Sequence, residues 1–212
     1  MISKQKFFGW TLVAIIGIAI IYWLSQRSQG DSSEGRSLVF LEEWKEYNPN
    51  NGKFTAMLPS LPQHAADSVA LPSSQGFIKY DMFLSQEKDG TTFMISMIQY
   101  PNEYDTSRPM DLLDNVQKEL MFGNVHNKLK SSTRGMYQEF PSIDFFIENN
   151  ELVIRSKAFL VEKTLYVLTL IDRTPLDIEE HFGKYVESFH LTKAAPISSL
   201  EQVSGTNSQI RQ

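Results

Sequence analysis

Apolar and polar positions alternate along residues 151–162, with Leu152, Ile154, Ala158 and Leu160 on one face and Val153, Arg155, Lys157, Phe159 and Val161 on the other. Such a strand is buried on one side and partly wet on the other, which predicts an antiparallel sheet. Residues 142–148 precede it across Asn149-Asn150, a pair that tolerates the positive φ of a tight turn, so the two runs form a hairpin. Residues 165–172 follow a short polar corner at Glu162-Lys163-Thr164 and extend the meander. Earlier, residues 52–58, 76–84 and 91–100 read as three more strands, with Lys88-Asp89-Gly90 turning between the last two.

Two stretches change to helical spacing. In the first, Ser107 is placed to cap, Pro109 suits the opening turn, and Leu113, Val116 and Leu120 fall on one stripe before Gly123. The second opens at Thr174-Pro175-Leu176-Asp177 and carries Ile178, Phe182, Tyr185, Val186 and Phe189. Two amphipathic helices and an antiparallel sheet define an α+β sandwich.

A different pattern opens the chain. Residues 7–24, FFGWTLVAIIGIAIIYWL, carry no charge and are long enough to cross a hydrocarbon core of roughly 30 Å. Trp10, Tyr22 and Trp23 stand near the ends, where amphipathic rings favour the interfaces. A cleaved signal peptide also starts with positive charge, but this run exceeds the usual apolar segment and Ser25-Gln26-Arg27-Ser28 lacks a small-residue cleavage site. Lys4 and Lys6 precede the span, which predicts a cytoplasmic N-terminus at residues 1–6, a transmembrane anchor at 7–24 and an extracytoplasmic remainder, bacterial periplasm being the expected setting. Residues 25–37 read as a flexible stalk, 38–192 as the folded domain and 193–212 as a disordered tail. The anchor has no G-x-x-x-G pattern, so helix-driven dimerisation is not expected.

Charge and composition then narrow the function. After Gly30 there are 17 basic against 25 acidic residues, a balance of −8, which disfavours nucleic acid as a partner. There is no cysteine, which removes disulfides, thiolate nucleophiles and cysteine-ligated metals. His64, His126, His181 and His190 show no metal-binding spacing, and Glu179-Glu180-His181 reads as a solvated helix face. No catalytic or phosphate-binding motif is present, so neither cofactor nor metal is expected, although distant acids such as Asp81 and Asp144 remain available to a dispersed site.

The order Trp44-x-x-Tyr47, Gly52-Lys53-Phe54-Thr55, Leu58-Pro59 and Leu61-Pro62 resembles the opening of a set of bacterial exported domains of PsbP-like fold. Residues 155–161 (RSKAFLV), 165–168 (LYVL) and the closing Glu187-Ser188-Phe189-His190-Leu191 resemble its final hairpin and ending. The likeness spans residues 44–191 and rests on packing residues. It implies an antiparallel sheet flanked by helices in an extracytoplasmic setting. In photosynthetic members that fold serves as a non-catalytic accessory subunit.

Adjacent strand residues point to opposite faces, so one of Phe145 and Phe146 needs cover from a helix, the stalk or a partner. A protein partner covering it would make the hairpin of residues 142–161 an interaction face, with Phe145 and Phe146 as the partner surface. Three functions stay open: a membrane-tethered interaction or accessory module without catalysis, a domain that houses a small apolar or lipid-like ligand among its many aromatics, and an enzyme with a dispersed acid/base site.

Overall fold

A computed structural model describes residues 44–71, 76–173 and 177–192. The expected anchor at 7–24, the stalk and the tail lie outside the described residues. Among those described, no helix is long and apolar enough to cross a membrane.

Ten strands and two helices make up the described chain: β1 (Lys45–Tyr47), β2 (Phe54–Leu58), β3 (Gln63–Ala70), β4 (Phe77–Gln86), β5 (Thr92–Gln99), α1 (Pro109–Phe122), β6 (Lys128–Tyr137), β7 (Phe140–Glu148), β8 (Val153–Val161), β9 (Thr164–Asp172), α2 (Ile178–Glu187) and β10 (His190–Leu191). Seven strands form one antiparallel sheet in the order β3-β4-β5-β9-β8-β7-β6, and β1-β2-β10 form a small second sheet. The class is the α+β sandwich that the alternating and helical patterns predict.

The sheet is covered on both faces, unlike the half-wet sheet that the alternation predicts. On one face the small sheet and α2 bring Phe54, Phe182, Tyr185 and Phe189 against Phe83, Phe93, Phe159, Tyr166 and Leu168. On the other, Leu113, Val116 and Leu120 of α1 join Ile143, Phe145, Ile147 and Ile154. The central strands β5 and β9 are consequently buried almost end to end, and only their flanks tolerate charge.

Several local expectations change in detail. The β7–β8 turn needs no positive φ at either Asn149 or Asn150. Instead the Asn149 side-chain oxygen accepts from the backbone N–H groups of Glu151 and Leu152, at 2.9 and 2.8 Å. The two-residue positive-φ turn lies between β6 and β7, at Gln138 (φ 48°) and Glu139 (φ 74°). Ser107 does not cap α1; Arg108 holds the N-cap position, and the Asp105 carboxylate accepts from the Ser107 backbone N–H at 2.9 Å. At α2, Thr174, Pro175 and Leu176 lie outside the described residues, and Asp177 precedes the helix in the left-handed region without a side-chain cap.

Tyr185 ties α2 to the sheet, since its buried hydroxyl donates to the Met94 carbonyl at 2.9 Å. Tyr185→Phe removes that bond and is expected to cost about 0.5–1.5 kcal/mol, read as a lower urea midpoint at unchanged slope. Burial also pushes the Tyr137 and Tyr166 phenols up from 10.0 to about 12. The unfolded chain therefore releases these protons first, so the stability they confer is whole below pH 10 and is lost as pH rises toward 12. Urea midpoints measured across that range, alongside tyrosinate absorbance, check the sign.

Candidate interaction surface

Phe145 is fully buried in the cluster under α1, whereas Phe146 is partly buried on the opposite face against the aromatic cluster. The cover that the pair demands is therefore intramolecular on both sides, and Phe145 presents nothing to a partner. Phe146 keeps part of its surface, so the hairpin reading narrows to that one side chain.

The dispersed acids are not brought together either. Asp81 on β4 meets His64 at 2.8 Å, and Asp144 on β7 meets Lys157 at 2.5 Å. Four strand spacings of about 4.8 Å separate β4 from β7, roughly 19 Å in all. Around Asp144 the side chains form a chain of charges. Arg155 approaches it at 3.9 Å and binds Glu179 of α2 through Nε at 3.0 and 3.1 Å, lying 5.1 Å from the Phe182 ring centroid. Asp144 and Glu179 are thus each taken by a cation of the same chain, which describes a strut between sheet and helix rather than an acid/base pair.

The histidines divide in position. His64 stacks on Phe83 with ring centroids 4.5 Å apart, His126 and His190 are exposed, and His181 is buried in α2. The last corrects the solvated reading of Glu179-Glu180-His181, because His181 lies one turn before Tyr185 on the helix's inward side while both glutamates face out. Among the described residues no three His, Asp or Glu side chains converge as a metal site.

What the sequence reading missed is β6, at one end of the large sheet. It bonds β7 on one side only, and nine of its ten residues are exposed. Its side chains are nevertheless fixed. Arg134 binds Asp114 of α1 at 2.6 Å, Ser132 donates to Gln117 at 3.3 Å, and Lys130 pairs with Glu148 at 2.8 Å. Tyr137 anchors its end on the other face, sharing its hydroxyl proton between the Val186 and Phe189 carbonyls at 2.9 and 3.1 Å.

This held edge carries apolar side chains in the open. Leu129 is 42% and Met136 65% exposed, and at the adjoining α1–β6 corner Phe122 and Val125 are 78% and 92% exposed. A strand edge offers unpaired N–H and C=O groups, and proteins usually blunt such edges with charge, bulges or cover. Here a bulge and three cations are present, but the cations Lys130 and Arg134 are turned to internal partners. The opposite edge, β3, exposes no large apolar side chain along its QHAADSVA run, where Val69 is partly buried.

Among solved structures the chain is similar to the solution structure of cyanobacterial PsbP (CyanoP) from Synechocystis sp. PCC 6803, at 12% identity and a TM-score of 0.44, covering 76% of this chain and 98% of that one. It is also similar to a protein of unknown function, PA94, from Pseudomonas aeruginosa, at 11% identity and a TM-score of 0.32, covering 68% of this chain and 92% of that one. No family model matches the chain, and no curated protein matches it.

Proposed function

We propose that this chain is a single-pass membrane protein whose extracytoplasmic domain is an interaction module, working by binding rather than catalysis and offering the β6 edge to a protein strand. The observation that carries the reading is an open ten-residue edge with exposed Leu129 and Met136 on a strand paired with β7 and joined to α1 through Arg134 and Ser132. Strand addition at such an edge draws affinity from main-chain hydrogen bonds and selectivity from side chains on alternate positions. The tether is supported by the uncharged run at residues 7–24, and its direction by Lys4 and Lys6.

The test is a photoreactive residue at Met136 of the full-length protein in its native membranes, with the same probe at Ser68 on β3 for comparison. A discrete protein adduct from Met136 and none from Ser68 is the expected result. Lipid adducts alone, or equal yields from the two edges, overturn the interaction reading. Resistance to alkaline extraction from the same membranes is expected of the tether, and release into the supernatant would remove it.

A further inference from the structure

Resting on that interaction reading, we infer that the strand received by β6 is the β6 of a second copy of this chain, paired antiparallel about a two-fold axis at Thr133. In an isologous contact the same patch must complement itself. Directly opposed residues of an antiparallel pair also share a face, so the axis has to pass through a residue of β6 rather than between two. Strand pairing with β7 sets the faces: Ser132, Arg134 and Met136 share one with Ile143, and Ser131, Thr133 and Tyr137 share the other with Asp144. The bulge between Leu129 and Ser131 leaves Lys130 extra and returns Leu129 to the face of Met136.

Three registers around the middle of β6 can then be compared. An axis at Arg134 sets two guanidinium groups against each other. An axis at Ser132 leaves Met136 without a partner and places Arg134 opposite the partner's Leu129. With the axis at Thr133, Ser132 meets the partner's Arg134 and Ser131 meets the partner's Gly135. One step further, the bulge brings Leu129 opposite the partner's Met136, and the two-fold repeats that pair on the other side. Lys128 then stands opposite the partner's Tyr137, so no cation faces a cation. The two large apolar side chains exposed on this edge, Leu129 and Met136, are the two that this register covers, each with the other. Arg134 and Lys130 already hold Asp114 and Glu148, which removes most of the repulsion between two basic strands.

The chain has no cysteine, so a single introduced thiol reports its own neighbour without background. Residues opposed across an antiparallel pair have Cα atoms about 4.5–5.5 Å apart, within the span that a disulfide bridges. Thr133→Cys in the full-length membrane protein, under mild oxidant, is expected to shift from monomer to a disulfide-linked dimer, whereas Ser68→Cys on β3 stays monomeric. Leu129→Cys mixed with differently tagged Met136→Cys is expected to give a hetero-tagged dimer in excess of the Leu129→Cys homodimer. A monomeric Thr133→Cys, or a Ser68→Cys dimer of equal yield, overturns the self-pairing. If Met136 then still captures a different protein, the interaction reading stands with another partner; if it captures none, both fall.

Discussion

Phe159→Ala is expected to destabilise the folded chain by about 3–5 kcal/mol, the largest single loss anticipated at any position. Phe159 is fully buried at the meeting point of β8 with the aromatic face, its ring centroid 4.7 Å from that of Tyr137, 5.2 Å from Tyr166 and 5.8 Å from Phe189. Those three neighbours are themselves fixed. Tyr137 is bonded to the backbone carbonyls of Val186 and Phe189 at the end of α2, Tyr166 lies in the central strand β9, and Phe189 stacks on Phe54 of the second sheet. They cannot collapse into the vacated space without breaking hydrogen bonds or strand register, so most of the cavity would persist. The loss is read from urea midpoints with the slope unchanged. A shift corresponding to less than about 1.5 kcal/mol, the cost of a well-tolerated core swap, would mean that the aromatic face is looser than this packing requires.

How far the sequence spoke follows from where burial falls. Runs with a buried face were legible: β8 follows from alternation, β7 and β9 from the turns that flank it, and the inward stripes of α1 and α2 are Leu113, Val116, Leu120 and Ile178, Phe182, Tyr185, Val186. Runs without one were not. β6 reads KLKSSTRGMY and β3 reads QHAADSVA, neither with an apolar period, because an exposed edge strand has nothing to sort onto a core face. Their place in the sheet is dictated by the neighbours, β7 through the Gln138-Glu139 turn and β4 by pairing from Gln63 to Ala70. A β6 signal was still present in the way Leu129 and Met136 sit in a polar run between a helix and a strong strand.

The same logic bears on the site. Phe145-Phe146 announces that two faces need covering, and with six strands counted and one face assumed wet, a partner was a reasonable cover. Two helices on opposite faces supply it instead. The residues left uncovered are those whose sequence context is polar, which is why the proposed interaction surface lies one strand away from the position that the aromatic pair suggests. The charged positions of β8 carry the corresponding lesson: Arg155 and Lys157 give the alternation its wet appearance, yet both are largely buried and paired.

That pairing yields the second large effect. Lys157→Met is expected to cost about 2 kcal/mol, between the ~0–1 kcal/mol of an exposed pair and the 3–5 kcal/mol of a broken buried one. Lys157 keeps 15% of its side chain exposed and Asp144 24%, at a separation of 2.5 Å. The ammonium also lies 5.2 Å from the Tyr137 ring centroid. Methionine retains the apolar stem on that ring, so what it removes is the charge, leaving the Asp144 carboxylate with Arg155 at 3.9 Å as its remaining cation. Arg155 is already committed to Glu179 and cannot swing to replace the lysine without releasing α2. Asp144→Leu alone leaves Lys157 without its anion and should cost at least as much. The double variant, with apolar groups at both positions, is expected to recover most of the loss, because the desolvation of both charges is then avoided. A coupling energy near zero in that cycle would show that Lys157 and Asp144 contribute independently. A coupling of about 1 kcal/mol or more would establish that the pair acts as a unit across the β7–β8 hairpin.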